Sequence, residues 1–278
     1  MLELRSVDFY YQSHTKVLSS ISLSIQQGEF LVIAGRNGSG KTTLTRLLMA
    51  LKKPVGGDIL FQGKNIQPCT PADMARHIGY VFQNPDRQIF HDTVFSEVSY
   101  GPEQLGYSSD DVTAFVHQAL TATDLDDVAD TSPAILSRGQ KQRLAIASAM
   151  AMQPKIFILD EPTSGQDAKQ RQQLLAVLKD LHQQGKTIIL ITHDMDILAA
   201  YAQRVIVMSG GFKVFDGTSE QLFTHDELER WGLSRPTALT ISQALSPYGI
   251  QTTAAIQPLI QSLSLHLGGR KPCKCSHP

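Results

Sequence analysis

The stretch FLVIAGRNGSGKTT, Phe30 to Thr43, decides the fold. Its first residues are apolar without a break, as expected of a strand covered on both faces. A glycine-rich loop follows at once, and from about Lys41 to Ala50 the pattern turns helical. The loop GRNGSGKT, Gly35 to Thr42, has the spacing G-x-x-x-x-G-K-[ST]. Glycines let consecutive backbone N–H groups curve around the β- and γ-phosphates of a nucleotide. Lys41 reaches those oxygens, and the Thr42 hydroxyl can ligate Mg²⁺. Strand, loop and helix stand in the order this chemistry demands. Gly35, Arg36, Asn37, Gly38, Ser39, Gly40, Lys41, Thr42 and Thr43 are therefore expected around ATP.

Two more apolar strands end in groups that such a site needs. IFILDE, Ile156 to Glu161, closes on two carboxylates, with Asp160 placed for the Mg²⁺ shell and Glu161 for polarising the attacking water. LITHD puts His193 just past a strand end, where a sensor of the γ-phosphate would sit. A third element is the polar turn Ser137-Arg138-Gly139-Gln140, which precedes an apolar run ending at Ala151. Ser137 is placed as a helix N-cap, and a helix N-terminus is a ready anion site.

Working outward, LELRSVDFYY and SSISLSIQQGEF read as two strands joined by the polar turn QSHTK. GGDILFQGKNI is a short hairpin, and Arg76 to Gln83 a further strand. Residues from about Thr93 to Met152 are helical with weak strand signals. Helices near Ala168–Gln184 and Met195–Tyr201 then alternate with strands, and RVIVMSGGFKVFDG closes as a hairpin. That order predicts an α/β fold with a mostly parallel sheet. An antiparallel N-terminal subdomain and a helical insert at about 84–152 complete a unit of residues 1–220. A helical segment at 221–266, with Pro236 in a helix first turn, and a frayed tail at 267–278 follow it.

The chain has 278 residues and a formal net charge of −1, with no Lys/Arg block that would mark a nucleic-acid partner. No apolar run approaches the roughly 20 residues of a membrane helix. With three cysteines, Cys69, Cys273 and Cys275, a reducing compartment is the expectation. Cys273, Cys275 and His277 lack the number and spacing of a structural zinc site.

The ordered set of motifs resembles the ATP-binding-cassette (ABC) transporter ATPases over roughly residues 2 to 220. The set comprises Tyr11 before the phosphate loop, Gln83 in VFQNP, LSRGQ at 136–140, ILDEPTSGQD at 158–167, and His193. The resemblance implies a P-loop core in which two cassettes pair head to tail. Ser137, Arg138, Gly139 and Gln140 of one chain would then contact ATP on the other, with Asp167 in the loop that spans the interface. It also implies Tyr11 stacked on adenine, with Tyr10 as the alternative in a shifted register. Gln83 would lie at Mg²⁺ and the water, beside Glu161 and His193 as catalytic residues. Arg138 stands where the family more often has glycine, and its side chain is expected in solvent or near the partner's phosphate. Gln166 replaces an apolar residue.

Within that family, QNPDRQIF, EVSYGPEQLG and WGLSRPTALTISQAL resemble the ATPases of energy-coupling-factor importers, which take up vitamins or transition-metal ions such as cobalt or nickel. This implies a peripheral ATPase on the cytoplasmic face, a transmembrane coupling protein and a substrate-capture membrane protein, with Ile89 and Phe90 as a docking knob. The alternatives are the ATPase of another importer or exporter, or a cassette protein outside transport.

Overall fold

The computed structural model describes residues 1–11 and 15–268. Strands β1 (Leu2–Tyr10), β2 (Lys16–Ile25) and β3 (Phe30–Ala34) precede helix α1 (Lys41–Leu48). Next come β4 (Gly56–Phe61), β5 (Lys64–Asn65), α2 (Pro71–Ala75) and β6 (Ile78–Val81). Helices α3 (Val94–Leu105), α4 (Ser109–Ala122) and α5 (Arg138–Ala151) follow. The chain then alternates β7 (Ile156–Asp160), α6 (Ala168–Gln183), β8 (Thr187–Ile191), α7 (Met195–Tyr201), β9 (Arg204–Ser209) and β10 (Phe212–Gly217). Helices α8 (Ser219–Phe223), α9 (Thr237–Leu245) and α10 (Ile256–Gly268) close it.

Two sheets form. One is antiparallel in the order β2-β1-β4-β5; the other runs β10-β9-β3-β8-β7-β6, parallel throughout except for the edge strand β10. The parallel strands are buried on both faces, and the two-residue pleat sorts their side chains into separate cores. Leu31, Ile33, Ile156, Ile158, Ile189 and Ile191 join a cluster with the antiparallel sheet and α1. Their neighbours Val32, Phe157, Leu159, Ile188 and Leu190 pack instead against α6 and α7. A one-residue slip in any of these strands would exchange the two cores, so the register is strongly specified.

Helices α3, α4 and α5 share a third cluster built on Val94, Val98, Val116, Leu120 and Leu144. No strand is formed between Thr93 and Met152 among the described residues, against the weak strand signals in the sequence. The N-caps Thr93, Ser108 and Ser137 open those helices, and Gly106 ends α3 at φ +81°. Helix α1 stops short of Ala50, whose φ of +53° leaves the helical region. Pro236 caps α9 from outside rather than lying in its first turn. Cys273, Cys275 and His277 lie outside the described residues.

Phe157 is buried on the helix side of β7. Phe157→Ala should lower the unfolding free energy by about 3–5 kcal/mol, because the cavity adds to the lost transfer term. Chemical denaturation measures it, and a loss below about 1 kcal/mol would contradict this packing.

Candidate functional site

Strands β3, β6, β7 and β8 are parallel, so their carboxyl ends open on one edge of the sheet. Ligands bind at that edge in such sheets. There Asn37, Gly38, Gly40, Lys41, Thr42 and Thr43 line a cavity of about 420 Å³, together with Tyr11, Gln83, Asp160 and Glu161. The loop's shape depends on two glycines. Gly35 has φ +137°, and a Cβ there would run into the Met208 carbonyl oxygen; Gly40 has φ +105°, with Leu18 in the way.

Three features of this loop suit an anion. Helix α1 begins at Gly40 without a side-chain cap, whereas α3 to α6 are all capped. Its first N–H groups therefore present their positive end to the cavity. Lys41 Nζ, nearly buried, donates to its own loop at Gly35 O (2.7 Å) and Arg36 O (2.9 Å). Burial lowers its ammonium below the ordinary value, while the charges of Glu161 and Asp160 oppose that. The Ser39 hydroxyl is buried and has no partner among the described residues, an orphan that a phosphate oxygen would satisfy.

The acidic end of the site is locked to the loop. Thr42 Oγ1 donates to Asp160 Oδ2 at 2.7 Å. Asp160 is 4% exposed, and burial raises its carboxyl above the usual value; the Thr42 hydrogen bond opposes this, and the Glu161 charge adds to it. Behind it, the phenol of Tyr80 pairs with Thr45 Oγ1 (3.1 Å) and is pushed up to about 12 by burial and then by Asp160. Tyr80 therefore remains neutral across physiological pH.

Glu161 follows β7 in the left-handed region, φ +47°, and its N–H donates to Ile191 O at 2.9 Å, which turns the carboxylate toward the cavity's edge. Gln83 Nε2 and Ser164 Oγ each donate to Glu161 Oε2 at 3.2 Å. His193 Nδ1 lies 3.3 Å from Glu161 Oε1, with the imidazole 65% exposed. Gln83, Glu161 and His193, far apart in sequence, thus meet at one carboxylate. Ser164 was not singled out by the sequence, although it stands three residues after Glu161 in a turn.

The family described as ABC transporter matches residues 18–164. The chain belongs to that family. An ABC transporter ATP-binding protein of Pyrococcus horikoshii is 41% identical over 95% of this chain and 100% of its own length. The energy-coupling factor transporter ATP-binding protein EcfA2 of Caldanaerobacter subterraneus is 39% identical over 90% of each chain. Among solved structures, CbiO1 from Clostridium perfringens, described as part of the ABC transporter complex cbiONQ, superposes with a TM-score of 0.76. It is 33% identical and covers 89% of this chain and 96% of its own. The ATP-binding cassette MJ0796, in a dimeric post-hydrolysis state bound to ADP and Pi, gives a TM-score of 0.71 at 29% identity, covering 79% and 99%. The protein is thus an ABC cassette that binds and hydrolyses ATP.

In the cassette, Ser137 to Gln140 do not line the cavity of their own chain. Ser137 and Gln140 form a capping box: Gln140 N donates to Ser137 Oγ (3.3 Å), and Ser137 N donates to Gln140 Oε1 (3.0 Å). A Cβ on Gly139 would meet the amide end of the Gln170 side chain of α6, which would have to swing aside to admit it. Arg138 is exposed, yet its guanidinium lies over Gly165 rather than standing clear in solvent. Asp167 caps α6, accepting from Gln170 N at 2.8 Å, and the Gln166 amide donates to Pro162 O. Tyr11, 48% exposed, lines the cavity with its hydroxyl 3.1 Å from Thr43 Oγ1. Tyr10 does not line it.

The raised Asp160 carboxyl has a consequence for stability. From its ordinary value of 3.8 up to the folded value, the folded cassette binds more protons than the unfolded chain. Stability therefore falls as pH rises through that window. Asp160→Asn should stabilise the nucleotide-free cassette at pH 7, with the gain fading as pH falls toward the ordinary carboxyl value of 3.8. Parallel stability–pH curves for the two proteins would contradict it.

Proposed function

We propose that this cassette is the ATP-hydrolysing subunit of an energy-coupling-factor-type importer. In this reading two cassettes pair head to tail, each binding ATP on its own phosphate loop and completing it with the other's Ser137, Gly139, Gln140 and Asp167. Through membrane partners at the cytoplasmic face, hydrolysis drives uptake of a transition-metal ion or a vitamin. The observation that carries the reading is the division of the site. The loop, Asp160 and Glu161 surround one cavity, while the Ser137 turn, built as a helix N-terminus, lies outside it. Likeness to EcfA2 and to CbiO1 supports the importer type.

Mg²⁺ fits the donors present. Thr42, Asp160 and Gln83 offer hard oxygens, and the described residues hold no group of three or more His, Cys, Asp or Glu that would cage a metal alone. Phosphate oxygens would supply the remaining ligands, as is usual for this ion. When bound, it would neutralise charge developing on the phosphates. The chain's own groups do the rest. Lys41 and the α1 N–H groups hold the phosphates, Ser39 donates to one of them, and Tyr11 stacks on adenine. Glu161, held by Gln83 and Ser164, accepts a proton from the attacking water. His193 contacts the γ-phosphate. Arg138 adds positive charge at the face toward the second chain.

The test is reconstitution in vesicles with a candidate multi-span coupling protein from the same organism. ATP should drive uptake of a metal ion or vitamin. Glu161→Gln should keep assembly and ATP binding, lower hydrolysis by about 10²–10⁴-fold and stop uptake. A chain that assembles with no membrane protein, or a Glu161→Gln variant with the parent's turnover, would refute the reading.

A further inference from the structure

His193 owes its place to a corner that is gripped from two helices. The N–H of Asp194 donates to Thr192 Oγ1 at 3.0 Å, closing the turn around His193. One carboxylate oxygen of Asp194 caps α7, accepting from Asp196 N (3.0 Å) and Ile197 N (3.1 Å). The other accepts from Arg171 Nη1 at 2.6 Å. Arg171 lies in the first turn of α6, and its own N–H donates to Asp167 O at 3.0 Å. The same turn therefore holds Asp167 at one end and the residue after His193 at the other.

As a prop for folding the ion pair is poor. Its side chains are 40% and 23% exposed, and water screens such pairs. As a geometric tie it is well made, being short, charge-assisted and fixed at the Asp194 end by two further hydrogen bonds. The exposed His193 ring is anchored by its backbone, so the corner decides how far the ring stands from Glu161.

We propose that Arg171 is a positioning residue for His193. It ties the loop that meets the second chain to the corner that aims the imidazole at the γ-phosphate. A displacement of Asp167 on pairing is passed through the first turn of α6 to His193, and hydrolysis is thereby matched to closure. The inference rests on the role given to His193 above. Because the phosphate loop is untouched, the effect should fall on kcat and leave KM for ATP in place.

The experiment is steady-state ATP hydrolysis by the purified full chain. Arg171→Met should lower kcat by about 3–30-fold with KM changed by less than about twofold. Asp194→Asn keeps an acceptor for the α7 cap while losing the charge, and should lose the same factor. The double variant should be no worse than either single change, as expected for two partners in one contact. Arg171→Lys should restore most of the rate, since the contact is one N–H to one oxygen. His193→Ala sets the floor. Independent, multiplying losses would overturn the proposal, as would a lowered denaturation midpoint with the parent's kcat. Should His193→Ala turn over like the parent, the assigned role of His193 falls and the proposal with it. Should His193→Ala be inactive while Arg171→Met keeps the parent's kcat, only the proposal falls.

Discussion

The hydrogen bond from Thr42 to Asp160 is the contact on which the site depends. It joins the start of α1 to the end of β7, elements 118 residues apart in sequence, with the Asp160 end of the contact buried. Burying a carboxylate is expensive unless partners replace its hydration. A charge-assisted hydrogen bond returns about 1.5–3 kcal/mol of that cost, and the Lys41 ammonium opposes the remainder. The burial cost still wins, as the raised carboxyl records. The nucleotide-free site therefore stores unfavourable electrostatics, which a phosphate chain with its cation would relieve.

That store is usable because the sheet holds its ends still. Alternate residues of β3, β7 and β8 serve two different cores, so none of these strands can shift register without dismantling both. The phosphate loop, Asp160, Glu161 and His193 hang from those fixed ends, at the edge where parallel strands leave a crevice. The segment just after β6 adds Gln83 from one side, so a single carboxylate reports on three segments of the chain. What one chain does not bring to the cavity is the Ser137 turn, which Ser137 and Gln140 hold in shape with their capping box.

Much of this was legible in the sequence, for identifiable reasons. The phosphate loop announces itself because glycine spacing, lysine and threonine serve one chemistry, and the apolar run before it can only be a doubly covered strand. Asp160 and Glu161 were readable from their place at a strand end. The helical insert was harder, since short β-branched runs around Val94 and Val112 mimic strands until the caps at Thr93 and Ser108 are known. Contacts made through tertiary packing left no local trace. Gln170 filling the space beside Gly139 and Arg138 lying over Gly165 depend on which helix lies against which, and periodicity does not encode that.

The central claim is that each chain completes the other's catalytic pocket, and mixing two crippled chains tests it most directly. Lys41→Ala spoils the phosphate loop, and Ser137→Ala spoils the turn offered to the partner. A hybrid pair places both lesions in one pocket and leaves the second pocket whole. Each variant alone should be nearly inactive, and an equal mixture should recover about a quarter of the parent rate by random pairing. A mixture no more active than its separate components would contradict the account.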